Sequence, residues 1–260
     1  MNHTISNSSA DDRTHKSCLL ECCVDSVESA IAAKEGGADR LELCGNLMIG
    51  GTTPSPALFH AVRSLVSLPI HVLLRPHFGD FLYSDSELAI LQEEAAWFAS
   101  EGADGIVIGC LNADGTLNLP AMKALIACAP GKHITLHRAF DMCADPFRTL
   151  REAKDLGVHT ILTSGCEDSC RNGMTLINEF IKAAGPDLNI LVGGGVTYSV
   201  VKEFLARTDA VQFHMSGKVV QTSAMEYRNP RVHMGLEGFC EYEYFQTSKE
   251  KVAEVKALLR

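Results

Sequence analysis

Hydrophobic positions along this chain gather into eight short runs, most of them rich in Val, Ile and Leu. They are Cys18–Val24, Arg40–Cys44, Ile70–Pro76, Gly105–Leu111, His133–Asp141, Thr160–Gly165, Asn189–Val196 and Ala210–Gly217. Stretches with helical spacing separate most of them. One such helix starts near Ser26 and stops at Gly36-Gly37, and another covers Ser86–Glu101. A helix, a glycine stop and a strand recur in Lys34–Cys44, Ser100–Gly109 and Ala153–Gly165. A run that is apolar on both faces suits a parallel sheet covered by helices, and eight such units close into a barrel. The pattern predicts an α/β chain forming a single (β/α)8 TIM barrel over residues 18–260, behind a disordered polar leader at 1–17. The closing helix, Ser248–Leu259, should pack beside strand one. Lys218–Thr247 shows no clear periodicity.

Strand alternation then points to chemistry, because in this architecture the carboxyl ends of the strands form the active face. Glu21 and Cys23 share one face of strand one, and Glu42 and Cys44 share one face of strand two. Adjacent inward carboxylates need a partner or a cation, and Arg75, closing strand three, is the nearest candidate. Two readings follow. One is a structural Glu–Arg network with the cysteines as small filler. The other is a sulfur pair, Cys23 with Cys44, able to hold a soft monovalent metal such as copper(I), although the nearby carboxylates oppose thiolate formation. Strand five offers His137 and Asp141 on one face if it stays extended, with Arg138 opposite unless the strand end twists. His214 and Ser216 close strand eight, and Thr163 and Ser164 close strand six. Gly193, Gly194 and Gly195, with Ser216 and Gly217, lie where this fold often cradles a phosphate, or else form tight turns. The loops Gly45–Pro56 and Arg75–Ser84 are longer than plain connectors need to be.

Composition narrows the classes. The 260 residues carry a net charge of −9, which argues against a nucleic-acid-binding surface. No apolar stretch approaches membrane-spanning length, and the leader lacks an apolar signal core, so a cytoplasmic protein is expected. The ten cysteines read as thiols, and no paired C-x-x-C motif suggests a structural zinc site.

Several segments, taken in order, resemble the copper homeostasis protein CutC family. They are LECCVDSVESAIAAKEGGADRLELCGNLMIGGTTPS, LLRPHFGDFLYS, LHRAFD, ILTSG, the closing H-x-S and MEYRNPRVHMG (Met225–Gly235). The resemblance runs from about Leu19 to the C-terminus. It implies a cytosolic barrel associated with copper tolerance, with copper(I) at Cys23 and Cys44. The family's polar strand-end residues fall on Glu21, Glu42, Arg75, His137, Arg138, Asp141 and His214. His77 departs from the family's frequent Arg and lowers the local positive charge. Against a copper-binding protein stands an enzyme acting on a small anionic or phosphorylated metabolite, or a metal-dependent phosphodiesterase, built on the same polar residues. A homo-oligomer is expected in either case.

Overall fold

The computed structural model describes residues 18–234, 238 and 240–260. The polar leader and Gly235 of the MEYRNPRVHMG segment therefore lie outside the described residues. Eight parallel strands close a barrel in sequence order: β1 (Leu19–Val24), β2 (Arg40–Leu43), β3 (Ile70–Leu73), β4 (Gly105–Ile108), β5 (His133–Leu136), β6 (Thr160–Thr163), β7 (Asn189–Val192) and β8 (Gln212–Met215). The helices are α1 (Val27–Glu35), α2 (Pro56–Leu65), α3 (Asp85–Ser100), α4 (Leu119–Cys128), α5 (Pro146–Asp155), α6 (Met174–Ala184), α7 (Tyr198–Arg207) and α8 (Lys249–Leu258). Local chemistry sets their starts. Ser84 and Glu87 form a reciprocal capping box on α3, and Ser26, Ser55, Asp145, Thr197 and Ser248 each accept a backbone N–H at the head of a helix. As expected, α8 closes the ring of helices, packed between α7 and α1.

The two faces of the barrel strands divide the labour. Outward positions such as Leu20, Cys22, Leu41, Leu43, Ile70, Val72, Ile134 and Phe213 join the large apolar core beneath the helices. Cys22 therefore packs, as alternation predicts. Inward positions are unusually polar for this fold, whose interior is ordinarily filled with branched apolar side chains. Register puts Glu21 beside Arg40 on one side and His214 on the other, Cys23 beside Glu42, and His71 beside Gly105. Below them His71, His133 and His159 stack with successive ring centroids 4.7 Å apart.

Within Lys218–Thr247, the segment without clear periodicity, β9 (Lys218–Thr222) and β10 (Glu243–Thr247) pair antiparallel as a ribbon beside the barrel. Its strands are largely solvent-exposed, so no apolar period marks them. Thr247 anchors the ribbon, donating its N–H to Ser29 Oγ and its hydroxyl to the Ser216 carbonyl. One expectation is corrected: the run His133–Asp141 does not stay extended as one strand. It leaves the sheet at Leu136 and turns into a 3₁₀ helix over Arg138–Met142.

The stacked histidines need the space that Gly105 leaves. A Cβ there would lie 2.7 Å from the His71 ring and 2.8 Å from the His133 carbonyl oxygen. Gly105→Ala is expected to destabilise the barrel by about 1–3 kcal/mol through overpacking. A denaturant titration checks this, and an unshifted midpoint would show that the rings can move aside.

Candidate functional site at the barrel mouth

Glu21 organises one wall. Its carboxylate, 1% exposed, accepts from Arg40 Nε at 2.5 Å and from His214 Nδ1 at 2.7 Å. Burial alone would raise its pKa, but the charges of Arg40 and His214 and the His214 hydrogen bond outweigh burial and hold it well below the ordinary range. An ionised carboxylate can only accept, so Nδ1 of His214 must carry the donated proton. That leaves Nε2 on the side of Cys23 and Glu42. One donor atom from each of Cys23, Glu42 and His214 lies within 4.8 Å of the others, a spacing that can hold a metal ion. Burial disfavours charge on His214, yet the pull of Cys23 and Glu42 and hydrogen bonds to Cys23 and Glu21 push its pKa well above the ordinary value. Burial drives Glu42 up to about 7, against the attraction of His214. Cys44 lies just past β2, buried, with its Sγ donating to the Val24 carbonyl oxygen at 3.6 Å. Its pKa is raised by burial and by the proximity of Cys23 and Glu42.

The opposite wall comes from the two long loops and the end of β5. Arg75 donates from Nη1 to the carbonyls of Gly50 and Gly51 and from Nη2 to that of Gly79, and its guanidinium lies 5.0 Å from the Phe81 ring centroid. Those bonds join both loops into one rim. His137 caps the 3₁₀ turn by accepting the Ala139 N–H at Nδ1, 3.1 Å away. Burial first, and Arg75 second, lower its pKa to about 3. Arg138 does not point away: the chain turns at His137, and Arg138 lines the cavity while donating to Asp141 at 2.7 Å and to Ser164 Oγ at 2.6 Å. Asp141 is spent on the same structure, accepting from Thr163 Oγ1 and from the backbone N–H groups of Ser164 and Cys166. Thr163 and Ser164, which close strand six, therefore bind Asp141.

Between the walls is a cavity of about 340 Å³. Cys23, Glu42, Cys44, Arg75, His137, Arg138, Asp141 and His214 line it, together with apolar Leu47, Ile49, Leu73, Phe81 and Leu162. Glu21 sits one layer beneath. The expected partner of the carboxylates is corrected: Arg40, not Arg75, pairs with Glu21, because it faces inward two residues before Glu42. The same alternation, applied to every polar strand residue, would have found Arg40, His71 and His133. Gly193, Gly194, Gly195, Ser216 and Gly217 do not line the cavity. Cβ atoms at Gly193 and Gly194 would strike Leu162 and Ser164, so these glycines permit close packing of the β6 and β7 ends. After Gly217 the chain enters β9 directly, so no helix N-terminus waits there for an anion.

The sequence profile of the CutC family matches residues 18–219. The chain belongs to the CutC family. Among CutC relatives, the copper homeostasis protein cutC homolog of Homo sapiens is 40% identical over 243 residues, covering 93% of this chain and 89% of that protein. A CutC family protein of Bacteroides fragilis strain YCH46 is 39% identical, over 92% of this chain and 96% of its own. The crystal structure of the putative copper homeostasis protein CutC from Streptococcus agalactiae superposes with a TM-score of 0.73 at 28% identity, covering 76% of this chain and 98% of that one. Thiamine phosphate pyrophosphorylase from Pyrococcus furiosus, 14% identical with a TM-score of 0.56 over 94% of this chain and 96% of its own, shares the fold alone. Among the described residues, no helix is long and apolar enough to cross a membrane.

Buried neutral histidines give the CutC barrel a pH signature. Burial lowers His71 and His137 to about 3 and His133 to about 4, from an ordinary 6.5. As pH falls below 6.5 the unfolded chain takes up protons that the folded chain refuses, so stability drops until the folded values are reached. Glu42, raised from 4.5 to about 7, works the opposite way above pH 4.5. His214 adds no slope below 6.5, since it is protonated in both states there. His137→Gln should therefore flatten the stability curve between pH 6 and 4.5 by up to about 1.4 kcal/mol per pH unit. Urea titrations across that range check it, and parallel curves for the two proteins would place the His137 proton elsewhere.

Proposed function

We propose that this protein serves copper homeostasis by holding copper(I) at the barrel mouth, with Cys23 Sγ and His214 Nε2 as ligands and Cys44 as the second sulfur. The observation that carries this reading is the 2.7 Å contact from His214 Nδ1 to Glu21. A carboxylate behind a histidine keeps a proton on Nδ1 and orients the ring, and because His214 is protonated in the empty protein the metal would displace its Nε2 proton, at a position beside a cysteine sulfur. The donor chemistry fits a soft ion: copper(I) favours sulfur and accepts imidazole. Glu42, the third donor of the group, is a hard oxygen ligand and suits a soft ion less well than sulfur or imidazole. The names of the human and Streptococcus relatives lend the cellular role. A chain with ten cysteines read as thiols suits a reducing compartment such as the cytosol.

Competition against a copper(I) chelator under reducing conditions tests the site. Replacing Cys23 and Cys44 with Ser should weaken binding far more than replacing Cys128 and Cys143. Glu21→Gln, which touches no metal, should cost about 10–100-fold through His214. Equal losses in the two double variants would mean that thiols take up copper without a built site.

A further inference from the structure

The copper reading uses one wall of the cavity and leaves the other unexplained. Arg75 is 8% exposed, and its positive charge meets only backbone carbonyls and the Phe81 ring. Among the described residues it makes no ion pair, and its Nε has no hydrogen-bond partner. A buried guanidinium without an anion is costly. Beside it, His137 is 4% exposed, and its Nε2 is also unpartnered. Because Nδ1 accepts the Ala139 N–H, that nitrogen carries no proton. The neutral ring then bears its proton on Nε2, so His137 offers a fixed donor and not a base. Two buried donors therefore lack acceptors on the same side of one cavity.

We propose that Arg75 and His137 form a binding site for a small carboxylate, taking the carboxylate on Arg75 Nε and an adjacent carbonyl or carboxyl oxygen on His137 Nε2. A carboxylate fits better than a phosphate for two reasons. Among the described residues lining the cavity, only one cation lacks an anion, since Arg138 is already paired with Asp141, so a dianion would exceed the available charge. The glycine segments after β7 and β8, which could have supplied further N–H donors, do not line the cavity. The volume of about 340 Å³ falls at the lower end of small-molecule sites. Leu47, Ile49 and Leu73 flank it, so the remainder of the ligand is short and largely apolar. The site does not depend on the copper assignment, because neither Arg75 nor His137 is a proposed metal ligand.

Isothermal titration of the full chain, stripped of metal by a chelator and free of competing carboxylate buffers, provides the test. The probes are pyruvate, acetate and inorganic phosphate. Pyruvate should bind about 5-fold or more tighter than acetate, which lacks the adjacent carbonyl oxygen for His137. Phosphate should bind more weakly than pyruvate. Arg75→Met should weaken pyruvate binding by at least about 10-fold. Cys23→Ser should leave it unchanged, which separates this site from the copper reading. In case Arg75→Met fails to fold, ¹⁵N NMR of the wild type gives a second readout: the His137 Nε2 resonance should move on adding pyruvate. The proposal is overturned if none of the carboxylates binds below about 20 mM, if phosphate binds as tightly as pyruvate, or if pyruvate leaves the His137 Nε2 resonance in place. Unchanged pyruvate binding in a folded Arg75→Met protein would overturn it equally.

Discussion

The Glu21 carboxylate, held between Arg40 and His214 inside a closed sheet, is the charge around which the barrel interior is arranged. An ionised carboxylate at 1% exposure survives only with strong partners. Register supplies both from the neighbouring strands at the same level. Once Glu21 is fixed as an anion, His214 must turn Nδ1 toward it as a donor, and the direction of Nε2 follows. Arg40 is committed in turn, and its charge helps to keep His71 and His133 neutral below. A large part of the polar interior thus follows from one buried ion pair.

Above that layer the cavity is divided in character. Cys23, Glu42, Cys44 and His214 form a wall of sulfur, carboxyl and imidazole. Arg75 and His137 form a wall of donors whose capacity is not used up within the chain. Rigid elements carry the first wall, since its residues lie on or immediately after β1, β2 and β8. The second depends on loops, and Arg75 makes their rim by binding carbonyls from both. Arg75 is thus both a strut between loops and a buried charge at the cavity edge.

Much of this was legible from the alternation of residues along the strands. A period of two places Glu21, Cys23, Glu42 and Cys44 inward, and eight runs with eight helices leave few alternatives to a closed ring. What the sequence hid were choices made in three dimensions. Arg75 is next after Glu42 among the strand-closing charges, yet Arg40 is nearer in space because parallel register sets it level with Glu21. The end of β5 could not be fixed, because LHRAFD reads equally well as strand or turn until His137 is seen capping the Ala139 N–H. The β9–β10 ribbon lacks a buried face and so leaves no apolar rhythm. The glycines after β7 carried the expected freedom, but it is used for close packing against Leu162 and Ser164.

The hydrogen bond from His214 to Glu21 spans 193 positions in sequence. It crosses the seam where the last barrel strand meets the first. Every other strand pairing in the ring can form between neighbours along the chain, but this one waits until both ends of the sheet have come together. The pocket is therefore assembled by the same event that completes the cylinder. A molecule bridging β1 and β8 in that pocket would act as a clasp. It would hold shut the joint whose formation carries the largest loop-closure entropy in the ring, so occupancy and the integrity of the whole cylinder are thermodynamically linked.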